Sequence, residues 1–589
     1  MLRTPLHHLS QSGLALAAYL GLAFCVAPAR AQMLPPDATP LCAVPDATFA
    51  TWFQSGAPSR DGAVKPASSV SFPGDPDCNC GFYEWALQMF FWLTSPAASA
   101  GNGGRTIDTG LFYDVSAPDP NNHNLRTLRE HKPGILPQLS VRNAQLGPRG
   151  LPVIFSKTGQ MLEIERPQVT VNAQLNIRKT GGERVEVAHA GRSATGALVL
   201  TDSAGRIIEP DIPAPGESSL RGQTTGSILV QRFLVDGVPI YIDLFGNILD
   251  IGPGEVQGGV LQAQNGSLIY YGIMVNDVYA VFQAGVQHHV IAGPTFPTDL
   301  DAITSYAAMK GIVLADADAL AIEIKTAWIE ADKLPNPGDY ITVEATVPTY
   351  DTKTDPMDWK PNGTKPAKLA LIGMHVVGST RGHPEMIWAT FEHFGNTPND
   401  AYSYFDSSVT TKPVPQDTGG TWLFSKSGAT EPFNEAHMAM SGNDVQVSDT
   451  SPSNTIRRKA WGAASDIPPN SNAESAARSN TEIIAINNSV QSKMMMKGDM
   501  RNNYFLLGAT WTKGGGAPRP PFGAPTRANF GNQVGTSQLA NSTMETYQQG
   551  TDTTSSSGGT NCFSCHSSSD WTTATTFMSH IFDSIVPLF

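Results

Sequence analysis

The densest hydrophobic run is Phe82-Tyr83-Glu84-Trp85-Ala86-Leu87-Gln88-Met89-Phe90-Phe91-Trp92-Leu93. Aromatic and apolar residues cover most of a helical circumference there, which predicts a buried helix stopping at Ser95-Pro96. Between 183 and 290 the period changes to two. Arg184-Val185-Glu186-Val187 alternates, Ala197 to Leu200 leads into a Ser203-Ala204-Gly205 turn, and Phe233 to Leu244 predicts a hairpin turning at Asp236-Gly237. Val260 to Gln264 and Ser267 to Tyr271, joined by Asn265-Gly266, carry a strong short-range hairpin signal. Thr298 and Asp299 precede a helix around Ala302 to Lys310. Leu320, Ile324, Ala327 and Trp328 recur at helical spacing after Asp316 and Asp318, so 319–332 reads as a second helix. Tyr340 to Val347 and Ala367 to Val377 read as strands, Asn472 to Lys497 as a helix, and Tyr504 to Trp511 as a buried strand. The stretch 97–180 gives few firm signals.

This pattern predicts an α+β, β-rich fold, either one large unit or two tightly packed domains. The expected divisions are a signal peptide at 1–31, an irregular leader at 32–80, and a mixed β-rich domain with helices at 81–400. A loop-rich surface excursion at 401–470 and a C-terminal segment at 471–589 follow. The leader reading rests on Arg3, the apolar run Gly13 to Val26, which is too short to span a bilayer, and the small-x-small pattern Ala29-Arg30-Ala31. Cleavage after Ala31 predicts a chain outside the cytoplasm, in the periplasm or beyond it. No later stretch has the length and apolarity of a transmembrane helix.

Composition agrees with a loop-rich exported protein. Only 15% of residues are charged, while Gly and Pro number 55 and 44. The formal charge is −13, and −15 once Arg3 and Arg30 leave with the leader. An acidic surface argues against nucleic acid as a partner and favours a basic redox partner. Of the six cysteines, Cys42, Cys78 and Cys80 lie near the start, and in an oxidising compartment Cys42 is expected to pair with Cys78 or Cys80.

The chemistry concentrates in Cys562-Phe563-Ser564-Cys565-His566, a Cys-x-x-Cys-His pattern and the attachment site of a c-type haem. Cys562 and Cys565 would each form a thioether with a haem vinyl group, and His566 would be the proximal axial ligand. A zinc site needs a second ligand pair that the sequence lacks, and a thioredoxin-like site wants a βαβ setting. Only 23 residues follow His566, too few to bury a haem, so upstream segments must form its surroundings. A Met or His on the other side of the iron makes an electron carrier, whereas an open side allows peroxide or small-molecule chemistry. Candidates for that position are Met544, Met578, His580, His393 and His375. His375, His383, Glu385, Glu392 and His393 form a second group of metal-ligand types, read as structural or as a wall of the haem site. Met494-Met495-Met496 reads as a helix end rather than a copper site. No serine-hydrolase elbow, phosphate loop or dinucleotide fingerprint occurs.

Several runs carry a resemblance. Gly373-Met374-His375-Val376-Val377, Met386-Ile387-Trp388-Ala389-Thr390-Phe391-Glu392-His393, Asn541-Ser542-Thr543-Met544-Glu545-Thr546, and Asn561 to His566 with Ser579-His580-Ile581 are similar to a family of large exported bacterial cytochrome c proteins. These carry one haem site at the C-terminus. The likeness runs from about Phe82 to the end, weakest over 400–480. It implies export and one covalent haem c, and names no substrate. The expected function is therefore electron transfer by an exported mono-haem cytochrome, or alternatively a haem oxidoreductase, peroxidase- or oxygenase-like, with an open distal site near His375 to His393.

Overall fold

The computed structural model describes residues 34–589 apart from internal stretches, the longest being 142–152, 165–174, 211–227, 249–258, 519–531, 550–561 and 567–573. The expected signal peptide at 1–31 and the turn at 236–237 thus lie outside the described residues. The fold is α+β and β-rich. Its centre is an antiparallel sheet of eleven strands: β1 (Phe112–Val115), β2 (Leu128–Glu130), β3 (Ile269–Asn276), β4 (Ile322–Glu330), β5 (Thr342–Asp351), β6 (Asp358–Thr380), β7 (His383–His393), β8 (Met438–Ser441), β9 (Asp444–Val447), β10 (Tyr504–Thr512) and β11 (Gln533–Gly535). The spatial order is β2-β1-β3-β4-β6-β7-β10-β11, with β5 and β9 pairing against the long β6 and β8 against β9. Smaller sheets from 153–243 pack round Leu175, Ile177, Leu200 and Ile240.

Both faces of the central strands are covered, and this explains their nearly continuous apolar sequences. On one face lie α2 (Cys80–Leu93) and α5 (Ala473–Met495). Phe82 stacks on Trp511 with ring centroids 3.9 Å apart, and Phe90 on Phe391 at 4.5 Å. Ten of the fourteen α2 residues are buried, as the aromatic density of its sequence demands. Asn472 begins α5 with a capping box, accepting from the Ser475 backbone N–H. The other face carries α3 (Asp277–Gln287), α4 (Asp301–Met309) and the last residues of the chain. Among the described residues no helix is long and apolar enough to cross a membrane.

Two sequence expectations are corrected. Residues 319–332 form no helix: 322–330 is β4, pairing with β3 and β6. Apolar residues at 320, 324, 327 and 328 mimic a helical stripe because Ala327-Trp328-Ile329 is apolar on both faces of the strand and breaks the alternation of Ile322-Glu323-Ile324-Lys325. Ile324 and Trp328 join the core beneath α2, while Ala327 and Ile329 face the opposite layer. The stretch 401–470 is a surface excursion only in part: 407–413 is exposed, but other residues enter the core. Tyr404, Phe424, Arg457 and Trp461 are buried, and β8 and β9 extend the sheet. Its polar composition misleads because many of those polar groups are buried and bonded: Asn434 donates to the Ile456 carbonyl, and Arg457 donates to Asn399.

Two ties hold the periphery. Cys42 and Cys80 form a disulfide fastening the N-terminal residues to α2, worth roughly 2–4 kcal/mol for a loop of this length. His131 is fully buried beside β2, bonded through Nδ1 to Asp114 at 3.1 Å and through Nε2 to Asp108. Burial opposes its charge, but the bonds and charges of the two aspartates outweigh burial and push its pKa up to about 9. A raised pKa stabilises the fold fully below the ordinary histidine value near 6.5, and that contribution disappears as pH climbs through 9. Urea unfolding of wild type against His131→Asn should show an advantage on the order of 3 kcal/mol at pH 6, shrinking steadily to pH 9.5. A gap independent of pH would mean His131 is not charged in the fold.

Candidate functional site

The runs singled out in the sequence meet on one face of the sheet. In β6 and β7 His375 pairs with Thr390 and Val377 with Trp388, so these four side chains share a face. Across β4, Lys325 pairs with His375 and Glu323 with Val377. That face is apolar at one end, where Val275, Val377, Met386 and Trp388 pack with Phe563, Met578, Ile581 and Phe582. It is polar in the middle, at Lys325, His375 and Thr390. It is apolar again at the far end, round Tyr271, Ala327, Ile329 and Met544.

The haem-type motif sits at the first of these ends. Cys562–Cys565 is a single helical turn, α6. Residues three apart lie on the same side of such a turn; the Cys565 side chain is outside the described residues. Phe563 is fully buried and Cys562 partly so. The His566 backbone donates to the Cys562 carbonyl at 2.8 Å, closing the turn. Its ring lies 4.3 Å from Trp388 and stacks on His580 at 4.0 Å and 14°. Its Nδ1 lies 2.6 Å from the Met578 carbonyl. A carbonyl only accepts, so Nδ1 carries the proton, and in the neutral ring Nε2 is then the bare nitrogen. Burial first, then repulsion from His580, pushes the His566 pKa well below the ordinary value, which keeps the ring neutral. A neutral imidazole whose other nitrogen is held by a carbonyl is the state a metal ligand needs. The donor set therefore fits a covalent haem with His566 on the iron.

The ring against His566 is itself fixed. Trp388 Nε1 donates to the Glu385 carbonyl at 2.9 Å. Met386 between them is fully buried and has φ of 67°, a left-handed conformation costing about 1–3 kcal/mol for a residue of this kind. Glu385 is also buried, and its carboxylate accepts from the Thr512 N–H at 3.0 Å and lies 2.9 Å from His383 Nδ1.

Of the candidates for the second iron position, the fold brings His580 and Met578 to His566. Met578 meets it through its backbone carbonyl, with its side chain buried in the apolar cluster. His375 faces the same layer, but Nδ1 is bonded to Thr390 Oγ1 and Nε2 to Glu545, each at 2.8 Å. Met544 packs at the far end of the sheet face. His393 is five residues along β7 from Trp388, roughly 16 Å at strand spacing, and stacks on Tyr340 at 3.8 Å. The group His375, His383, Glu385, Glu392 and His393 is not gathered. His383 pairs with Glu385, His375 with Glu545, and Glu392 with Arg457. Among the described residues no three His, Cys, Asp or Glu side chains are placed to hold a metal ion.

What the sequence reading missed is how Asn541–Thr546 is laced to the sheet. Asn541 donates to Thr390 Oγ1 and the Phe391 carbonyl, Ser542 N–H and Oγ donate to Glu392, and Tyr271 donates to the Thr543 carbonyl. Burial opposes ionisation of Glu545, but His375 outweighs it and holds the carboxyl below its usual range. Glu323 and Lys325 were also missed. As alternating charges on one face of a strand they stand out, but not once 319–332 is read as a helix.

Glu392 and Arg457 are both fully buried and paired at 3.0 Å. Arg457→Met leaves a buried carboxylate without its cation, and urea unfolding should show a loss of about 3–5 kcal/mol. Adding Glu392→Gln should recover part of that loss. If the single substitution costs under ~1 kcal/mol, the pair is not what anchors 541–546.

Compared with known proteins, the chain matches no family model, no curated protein and no solved structure.

Proposed function

We propose that the chain is an exported mono-haem c-type cytochrome that transfers electrons. Cys562 and Cys565 would hold the haem covalently, and His566 and His580 would be the histidines that bind its iron. The observation that carries this reading is the His566 ring. It is neutral, clamped at Nδ1 by Met578, and sheltered by Trp388 at the end of a turn that begins with a cysteine. A bound haem supplies one-electron chemistry at a potential set by its axial ligands and surroundings.

The chain's own residues would act as follows. The Met578 carbonyl would keep the proton on Nδ1, leaving His566 Nε2 as the nitrogen available to a metal. Trp388 and Phe563 exclude water from one side of the site. His580, stacked flat on His566 at 4.0 Å, would have to turn to offer a nitrogen of its own. Anchoring of 541–546 would limit how far the motif can lie from the sheet. The acidic chain favours a basic protein donor or acceptor outside the cytoplasm, with association weakening as salt rises.

The oxidoreductase reading has one observation in its favour. His375 and Glu545 form a bonded acid–base pair on the same sheet face as Trp388. Spectra separate the two readings. Denatured wild-type protein should retain haem, and Cys562→Ala with Cys565→Ala should lose it; haem still covalently held by the double variant would refute the attachment. Carbon monoxide should leave the reduced wild-type spectrum unchanged and shift that of His580→Ala. A shift in wild type selects the oxidoreductase instead.

A further inference from the structure

Beside His566 runs a second line of bonded groups that axial ligation does not use. Ser579 follows Met578, whose carbonyl holds the His566 ring, and precedes His580. Its hydroxyl donates to Glu323 at 2.6 Å, and lies 2.7 Å from the Tyr279 hydroxyl. Tyr279 is fully buried in α3, and Ser579 is buried. Glu323 is half-buried on β4, between the apolar partners Val275 and Val377 on the neighbouring strands. It is set into the apolar end of the face that carries Trp388. A carboxyl there is out of place unless it is bonded or changes its charge.

We propose that Glu323 is a redox-linked proton site: its carboxylate takes one proton from water when one electron enters the haem from a donor protein, and returns it when the electron leaves. This rests on the haem reading above. One positive and one negative charge enter together, so the poorly solvated end of the sheet face gains no net charge. The link runs through one peptide unit, from His566 to the Met578 carbonyl and on through Ser579 to its hydroxyl.

The groups facing Glu323 decide where it titrates. Burial raises its pKa most, the Ser579 bond and the charges of Arg126 and Lys325 oppose this, and the result is about 7. Tyr279 feels Glu323 and Asp583 as like charges and stays neutral. His580 is the remaining titratable neighbour on the Ser579 segment. An electron added nearby disfavours the carboxylate, so the reduced protein should bind the proton at higher pH than the oxidised one.

Spectroelectrochemical titration of the purified full-length holoprotein from pH 5 to 9 tests this. The potential should fall with rising pH between two bends near neutrality. Each pH unit is a tenfold change in proton activity, about 59 mV for one electron. Glu323→Gln should give a flat curve with an unchanged absorption spectrum, and Tyr279→Phe should keep the slope. Ser579→Ala removes a bond that favours the carboxylate, so its bends should move to higher pH; this second variant decides the matter if Glu323→Gln fails to fold. A flat wild-type curve, or a slope surviving in Glu323→Gln, overturns the proton site while leaving the haem reading intact. Wild type without covalent haem overturns both.

Discussion

A carboxylate with no access to water must be given a cation and hydrogen-bond donors, or the fold around it fails. Glu392, at the end of β7, is such a group. Arg457 supplies the cation, and Asn396 and Ser542 supply the donors. These come from three different places in the chain. Satisfying one buried charge therefore brings together the strand, the stretch around 457 and the segment leading to the haem-type motif. Replacing the whole cluster by apolar residues would remove the desolvation cost, but also a charge-specified reason for those three segments to meet in one register. The His375–Glu545 bond, two residues further along β6 than Gly373, repeats the logic on a smaller scale.

How much of this was legible in the sequence follows from what each signal depends on. The α2 aromatic run, the capped α5 and the hairpins at 235–238 and 265–266 are local, and periodicity with turn chemistry finds them. The β4 strand was not legible, because its alternation over 322–325 breaks off at Ala327-Trp328-Ile329, which is apolar on both faces. Leu320 and Trp328 then complete an accidental helical stripe. The buried half of 401–470 was hidden for the opposite reason. Beside its buried aromatics it is held by polar groups whose partners, such as Glu392 for Arg457, lie tens of residues away. A single sequence lists donors and acceptors but not which of them meet.

The candidate site divides along the same line. Cys562, Cys565 and His566 are adjacent, so their spacing alone suggests the chemistry. Which side chain stands opposite the His566 ring is a long-range matter. Five residues had the right side chains, and only the fold separates His580, stacked on His566, from Met544 and His393, which pack elsewhere. Trp388, Ser579 and Glu323 carry no motif. Each matters through where its strand or turn stands, and backbone position is what sequence reading recovers least well.

The last 28 residues also make sense as a consequence of the sheet rather than as a domain. Their described elements are short: one helical turn and two 3-10 turns, Thr576–Met578 and Phe582–Ser584. So little local structure cannot hold itself. What holds it is distant in sequence: Gln283 donates to the Phe582 and Ile585 carbonyls, Thr575 and Thr576 donate to the Pro294 carbonyl, and Ser579 bonds Tyr279 and Glu323. The sheet and α3 must therefore exist before this segment has a place to dock. A motif carried this way is set by its scaffold, so substitutions in α3 or β4 should disturb the surroundings of His566 as readily as changes beside it.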